Sequence, residues 1–427
     1  MRKVMGFSVI FCCLLSIALS KKLFIGDQVL RITAESEEQS ASLRKQYDEL
    51  QQDMEAQLDL WSDSVRGSQV ILDMRIPFSK LQPMKTFLSS HGIQYDIMIE
   101  DIQARLDEEM EAVARSSQRE RETGAFDYGS YHTLEQIYEW VDSLVAENPE
   151  LLSKMTIGES YEKRPIHVLK FSTGSNRTAI WIDSGIHACE WISPAVGIWT
   201  AKKLVTEFGQ DPPVTTLLNK MDIFLLIVLN PDGYAFSHTS NRMWRKTRSI
   251  SANSSCIGVD PNRNWGADFG GPGSSMDPCS ETFSGTFAHS ESEVKAIVDF
   301  ILDHGNFKAM VTIHSYSQKL MYPYGFSYSP VPNAEELHHL AKRAVDALKS
   351  LYGTKYSYGS IISTIYPASS TMVDWGYMNG LKYSYTFELR DTGRYGFLLP
   401  ASQIIPTAQE TWLALFTIME HVRDNHY

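Results

Sequence analysis

The chain has 427 residues, 43% of them hydrophobic, 21% charged and 11% aromatic. That balance excludes a disordered tail, a collagen-like fibre and a small disulfide scaffold; at roughly 150 residues per domain the length accommodates two or three domains. The net charge of −12 lacks the basic footprint of a nucleic-acid binder.

Residues 1–20 begin with Arg2-Lys3, continue through a mostly apolar run from Val4 to Leu19 and close on Ala18-Leu19-Ser20. A basic start, a short apolar stretch and small residues at its end predict a secretory signal peptide, the run being shorter than the ~20 residues that span a bilayer. Cys12 and Cys13 leave with that signal, so Cys189, Cys256 and Cys279 remain. An odd number in a secreted chain predicts one disulfide and one thiol, and the expected local staple is Cys256–Cys279 across the Gly/Pro/Ser-rich loop 270–275. Asn176 and Asn253 begin glycosylation sequons.

From residue 21 to 119 the net charge is −6, against −8 for the much longer 120–427, so the acidic excess is denser in the smaller piece. Gln28–Ile32 reads as a strand, Ser40–Glu55 as a polar helix and Gln69–Ile76, with alternating Val70, Leu72, Met74 and Ile76, as a half-buried strand. A short helix over Gln82–Ser90 and a strand over Ile93–Ile99 follow. Glu100-Asp101 then opens a helix that runs to Arg115, Arg119 and Arg121. This predicts a small α+β unit tethered by an exposed helix, whose arginines read equally as a proteolytic activation site or as a solvated helix end.

Beyond it, apolar β-branched runs recur at Ile166–Phe171, Ala179–Asp183, Ile223–Leu229, Ala309–Ile313 and Tyr383–Leu389. Helical stretches separate them at Leu134–Asn148, Ile192–Phe208, Ser290–His304, Ala334–Leu351 and Ala408–His421. The alternation predicts an α/β domain, its buried mixed central sheet flanked by helices.

His187-Ala-Cys-Glu190 follows the strand Ala179–Asp183 and a Gly-containing turn. With 12 His and 51 acidic residues in the chain, about 1.4 His-x-x-acid pairs arise by chance, so the pair alone says little. Its place does more: strand, turn, paired ligands, then helix is the layout at the carboxyl end of an α/β sheet, where ligands bind. A second strand ends at His314. Two imidazoles and one carboxylate would leave an open zinc position, the catalytic pattern.

Gly185-Ile-His187-x-x-Glu190-Trp191, Asn241-Arg-Met-Trp-Arg245-Lys, Asn262-Arg263-Asn264-Trp265, Ile313-His314-Ser315-Tyr316-Ser317 and Phe387-Glu388-Leu389-Arg390-Asp391-Thr392-Gly393 occur in order. With these motifs the chain resembles the pancreatic-type zinc metallocarboxypeptidases, in their carboxypeptidase A branch, over nearly its whole length. The resemblance implies a signal at 1–20, an activation pro-segment at 21–119 and a catalytic domain at 120–427. It implies one Zn2+ held by His187, Glu190 and His314, with the ion acidifying water and polarising the scissile carbonyl. Glu388 would be the general base and Arg245 the oxyanion-stabilising cation, a donor whose loss typically lowers turnover by ~10²–10³. Asn262, Arg263 and Tyr366 would clamp the substrate's terminal carboxylate, which a planar guanidinium grips in two-pronged fashion. Ser315 and Tyr316 would contact substrate. Val373, apolar where the basic-specific members carry an acid, would select hydrophobic or aromatic C-terminal residues in a pocket with Ile361, Ile365, Ala368, Met321 and Thr386; Asp374 beside it would be structural.

Two positions depart from the family pattern. Cys189 stands where the secreted members carry an arginine that holds the substrate's non-prime side, which raises the alternatives of an inert buried thiol, a thiol that caps or redox-sensitises the metal, and a catalytically weak peptide-binding homologue. Thr371 replaces a glycine at the pocket wall and is expected to shift preference toward aliphatic ends. A zinc amidohydrolase shares the ligand set but should lack the full clamp. The expected product is a secreted, extracellular, monomeric zymogen whose partners are peptide or protein C-termini and an activating trypsin-like protease, with neither nucleic acid nor membrane involved.

Overall fold

The computed structural model describes residues 21–51, 58–66, 69–252 and 254–425. The expected signal peptide and the Asn253 sequon lie outside the described residues. Among the described residues no helix is long and apolar enough to cross a membrane.

The N-terminal unit is a four-stranded sheet of β1 (Gln28–Ala34), β2 (Asp59–Arg66), β3 (Gln69–Ile76) and β4 (Gln94–Ile99), ordered β2-β3-β1-β4 with antiparallel pairing throughout. Helices Glu37–Gln51 and Phe78–Ser90 complete it. One face buries Leu30, Ile32, Leu72, Met74 and Ile76 with Met84 and Leu88 of the second helix. The span Gln69–Ile76 matches β3 end to end, but the strand is not half-buried: Asp73 and Arg75 of its other face are buried along with Leu72, Met74 and Ile76. β2 is a strand that periodicity does not predict, because Asp-Leu-Trp-Ser-Asp-Ser-Val-Arg carries no apolar alternation.

The connecting helix Ile102–Thr123 starts where expected, with the Asp101 carboxylate accepting the Ala104 N–H at 3.0 Å as its N-cap. It corrects the expectation of an exposed tether. Its Ile102, Leu106, Val113 and Ser116 are buried, and it continues four residues past Arg119, so all three arginines are helical. Arg115, Arg119 and Arg121 are exposed, and Arg119 is ion-paired to Asp127.

The C-terminal unit is built on eight strands: β5 (Leu152–Glu159), β6 (Pro165–Phe171), β7 (Thr178–Ser184), β8 (Met221–Leu226), β9 (Phe307–His314), β10 (Lys319–Tyr322), β11 (Ser357–Ser360) and β12 (Tyr383–Glu388). Their order is β11-β10-β12-β9-β7-β8-β6-β5. The central β12-β9-β7-β8 run is parallel, and β10–β12, β8–β6 and β6–β5 pair antiparallel, a mixed sheet. Helices cover both faces, so the central strands read as continuous apolar runs. Ile180 and Ile182 pack into the core on one side, Ala179 and Trp181 into that on the other. β8 stops three residues short of the expected Leu229: there Ile227 O accepts the Ser184 hydroxyl (2.6 Å) and Leu229 N–H donates to Ser184 O (3.0 Å), single bonds in place of a ladder.

Candidate metal centre and substrate cleft

The carboxyl ends of β7, β9 and β12 lie side by side. β7 leads into Gly185, whose φ of +67° and the approach of Pro194 and the Ile227 carbonyl within 3.2 Å of a notional Cβ suit only glycine. The turn 187–191 then feeds helix Ile192–Glu207. β9 ends at His314 and β12 at Glu388, and these two residues are register partners.

His187, Glu190 and His314 are all buried and offer ligand atoms within 4.8 Å of one another. His187 Nδ1 lies 2.8 Å from Glu190 Oε1, and His314 Nδ1 lies 3.3 Å from Glu190 Oε2 and 3.2 Å from His187 Nδ1. Burial works against the Glu190 charge, yet the two imidazoles hold its pKa down to about 2. Two ring nitrogens and one carboxylate suit zinc with an open position. The far nitrogen of His187 meets Asp260 Oδ1 at 3.0 Å, the outer carboxylate that fixes ring and tautomer in metal-ligating histidines. Asp260 was not foreseen. It stands next to Pro261-Asn262-Arg263, but the 73 residues separating it from His187 hide the pairing.

Asp260 also anchors Arg245, accepting Nη2–H at 2.9 Å. Burial opposes the Arg245 charge, but Asp260, with Tyr366 and Glu190, outweighs it and raises the pKa. Glu388 is half-buried. Burial, reinforced by Glu190 and opposed by His314, pushes its pKa up to about 8. A carboxyl poised near neutrality can accept and return a proton.

Asn262 Nδ2 is 3.3 Å from His314 Nε2, and its Oδ1 accepts the Met372 N–H at 3.0 Å. Arg263 donates to Gly273 O (2.8 Å) and to Asn262 O (2.9 Å), with the Tyr366 ring 6.0 Å from its guanidinium. Arg245, Arg263 and Tyr366 line one cavity of about 380 Å³. Behind Tyr366, Met321, Ile361, Ala368 and Val373 form a buried apolar cluster with Ile365 packed on it, and Thr386 pairs with Met321 across β10–β12. Thr371 caps helix Met372–Met378, its hydroxyl 3.3 Å from the Asp374 N–H. Cys256 and Cys279 are joined as a disulfide.

Ser315 N–H donates to Glu190 Oε2 at 3.1 Å, and the Tyr316 hydroxyl donates to Asp73 of the N-terminal unit at 2.9 Å. That unit also supplies Asp59, Trp61 and Asp63 to the same cavity, and the Trp61 ring sits 5.1 Å from Phe397.

Of the alternatives raised for Cys189, the inert buried thiol fits the structure and the metal-capping thiol does not. Cys189 is buried and unbonded, its sulfur is absent from the group of converging ligand atoms, and burial beside Glu190 raises its pKa, away from the thiolate that binds metals. With the three-ligand set complete beside it, the catalytically weak homologue is not supported.

The zinc carboxypeptidase family profile matches residues 137–414, and that of the carboxypeptidase activation peptide matches residues 30–109. The chain is 59% identical to carboxypeptidase A1 of Bos taurus over 98% of its own length and 99% of the relative's, and 54% identical to carboxypeptidase A5 of Homo sapiens over 98% and 95%. Its fold superposes on thrombin activatable fibrinolysis inhibitor (TM-score 0.85, 35% identity, 94% of this chain and 100% of that one) and on carboxypeptidase A from Helicoverpa armigera (TM-score 0.83, 27% identity, 94% and 99%). An activation-peptide unit joined to a mixed sheet with two histidines and a glutamate at its carboxyl end makes this chain a member of the zinc carboxypeptidases, a metallocarboxypeptidase with its propeptide.

Proposed function

We propose that this chain is a secreted zymogen that, once cut near Arg119, removes single hydrophobic or aromatic residues from peptide C-termini. The observation that carries the reading is the convergence of His187, Glu190 and His314 beside Glu388, the strand-register partner of His314. In this reading those three residues hold zinc, with Asp260 orienting His187. Bound zinc supplies Lewis-acid polarisation and a more acidic water. Glu388 would take a proton from the attacking water on its carboxylate and hand it to the departing amine. Arg245, held by Asp260, keeps a fixed cation where the carbonyl oxygen becomes negative. Asn262, Arg263 and Tyr366 take the terminal carboxylate, which restricts cleavage to the last residue, and the cluster around Val373 receives that residue's apolar side chain.

The pro-segment, residues 21–119, blocks access by occupying substrate-facing groups: Asp73 takes the Tyr316 hydroxyl and Trp61 lies over Phe397. Trypsin treatment followed by assay on peptides ending in Phe, Leu and Lys tests the whole reading. Release of Phe and Leu but not Lys, abolished by a chelator, is expected. Release that survives the chelator, or no release from any tail by the zinc-loaded processed enzyme, overturns it.

A further inference from the structure

The motif Asn241-Arg-Met-Trp-Arg245 contains a second arginine that the proposed reaction leaves unused. Arg242 is among the largest fully buried side chains of the molecule. Its Nη1–H donates to the Cys189 carbonyl at 2.7 Å, and its Nη2–H to the Phe397 carbonyl at 2.9 Å. The guanidinium lies 3.8 Å from the centre of the Trp191 ring. Trp191 is itself stacked on the His238 imidazole at 3.8 Å and ties its Nε1–H to Ser237 at 2.9 Å. Arg242 therefore grips the turn 187–191 on both sides of Glu190, by backbone at Cys189 and by ring at Trp191. Three residues on, the Arg245 carbonyl accepts the Ala188 N–H at 3.1 Å. One short segment thus holds the first and the last of the three peptide groups between the candidate ligands His187 and Glu190.

The remaining edge of Arg242 faces the pro-segment. Nε–H and Nη2–H donate to the two oxygens of Glu109 at 2.6 and 3.0 Å, a two-pronged pair with only 2% and 9% of the side chains exposed. Glu109 lies N-terminal to the exposed arginines of the connecting helix and departs with the pro-segment, whereas Cys189, Trp191 and Phe397 stay. The grip on the turn therefore persists after cleavage, and only the counter-charge is lost.

We propose that Arg242 is a positioning residue for the metal: it holds the 187–191 turn in ligand geometry in zymogen and processed enzyme alike, while Glu109 uses the same guanidinium as the pro-segment's anchor. This rests on the metal reading given above. The role is that of an outer partner of a ligand set, acting here through backbone and ring because the ligating Glu190 lies between the two points held.

The test is zinc affinity, measured by chelator competition on trypsin-processed protein, together with amide exchange over residues 188–191 in the metal-free form. Arg242→Leu is expected to weaken zinc binding by about 10- to 100-fold and to speed exchange in the turn. Because that variant leaves Glu109 buried without a partner in the zymogen, Arg242→Leu/Glu109→Leu, which replaces both charges with apolar side chains, serves where the single variant does not fold. Glu109→Leu alone should hasten activation and leave the processed enzyme's zinc affinity at the unaltered value. An Arg242 variant that binds zinc as tightly as the unaltered chain overturns the positioning role and leaves the metal reading intact; an unaltered chain that takes up no zinc overturns both.

Discussion

The turn 187–191 and the connecting helix Ile102–Thr123 are both held by Arg242, yet they are secured in contrasting ways. The turn is held from every side: Ala188 by Arg245, Cys189 by Arg242, Glu190 by Ser315, Trp191 by Ser237 and His238. Behind it stand the two extensive cores of the C-terminal unit. Helix and N-terminal sheet meet that unit through a small apolar cluster, Phe24, Val29, Trp61, Ile99, Ile102 and Leu106 against Met243, Tyr316 and Leu398, and through Val113 of the helix, which with Met110 beside it joins the larger core. A few discrete polar contacts supplement it, among them Arg242–Glu109, Tyr316–Asp73 and the Arg31 bond to Thr392 O. Reacting groups need a geometry that does not relax, whereas an inhibitory unit must let go once its covalent tether is cut. Density of cross-bracing separates the two tasks.

The largest expected effect breaks the braced side. Glu388→Gln keeps the shape of the β12 end but removes the proton carrier, so turnover on a peptide ending in Phe should fall by ~10²–10⁴ with zinc content and melting temperature retained. Loss of zinc together with activity would assign Glu388 to the ligand set and refute its role as base. On the releasable side, Asp73→Ala removes the acceptor of the buried Tyr316 hydroxyl and the partner of Arg31. An unsatisfied buried hydroxyl costs about 1–3 kcal/mol, enough for roughly tenfold faster appearance of activity after trypsin addition. Processed enzyme, which has lost residue 73, should be unaffected, and an unchanged activation time course would show that the Asp73 contact does not restrain release.

The same contrast explains what was legible in the sequence. Strands and helices that build the cores announce themselves by period, as β3 and the amphipathic helix Ala334–Tyr352 do. β2 does not, since its Asp59, Trp61 and Asp63 face the cleft and its composition answers to the surface it covers. β5, β10 and β11 lie at or near the sheet's edges and are short or half-exposed, so their apolar runs are broken. At the site, His187, Glu190 and His314 were legible because each ends or follows an apolar strand, whereas Glu388 came only with the family motif Phe387-Glu388-Leu389-Arg390. Asp260, Arg242 and Glu109 were not: each acts through a partner 53 to 133 residues away, and a single chain read in order carries no sign of such pairs.

A smaller effect sharpens the comparison at the one position where the braced turn departs from its family. Cys189 borders the cleft cavity as a free, buried thiol. Cys189→Arg should raise kcat/KM several-fold, by about 1 kcal/mol for one exposed charged contact, on extended peptides and little on dipeptides. An equal change on both would place the effect at the metal instead of the non-prime side.

The smallest effect concerns stability alone. Glu293 opens helix Ser292–His304 and is fully buried, its carboxylate reached by the Tyr161 N–H at 3.2 Å and the Ser292 hydroxyl at 3.1 Å. Burial, with Glu291 and Asp232 adding like charge, pushes its pKa from the ordinary 4.5 up to about 7. Between those two values the folded chain keeps a proton that the unfolded chain has lost, so stability is fully present below the lower value and declines as pH rises through the upper one. Glu293→Gln keeps the acceptor for Tyr161 and removes the titration. Its melting temperature should match the unaltered chain near pH 5 and exceed it by on the order of 2 °C at about pH 8. Parallel melting curves at both pH values would mean that Glu293 is ionised at no cost, with Tyr161 and Ser292 fully compensating its burial.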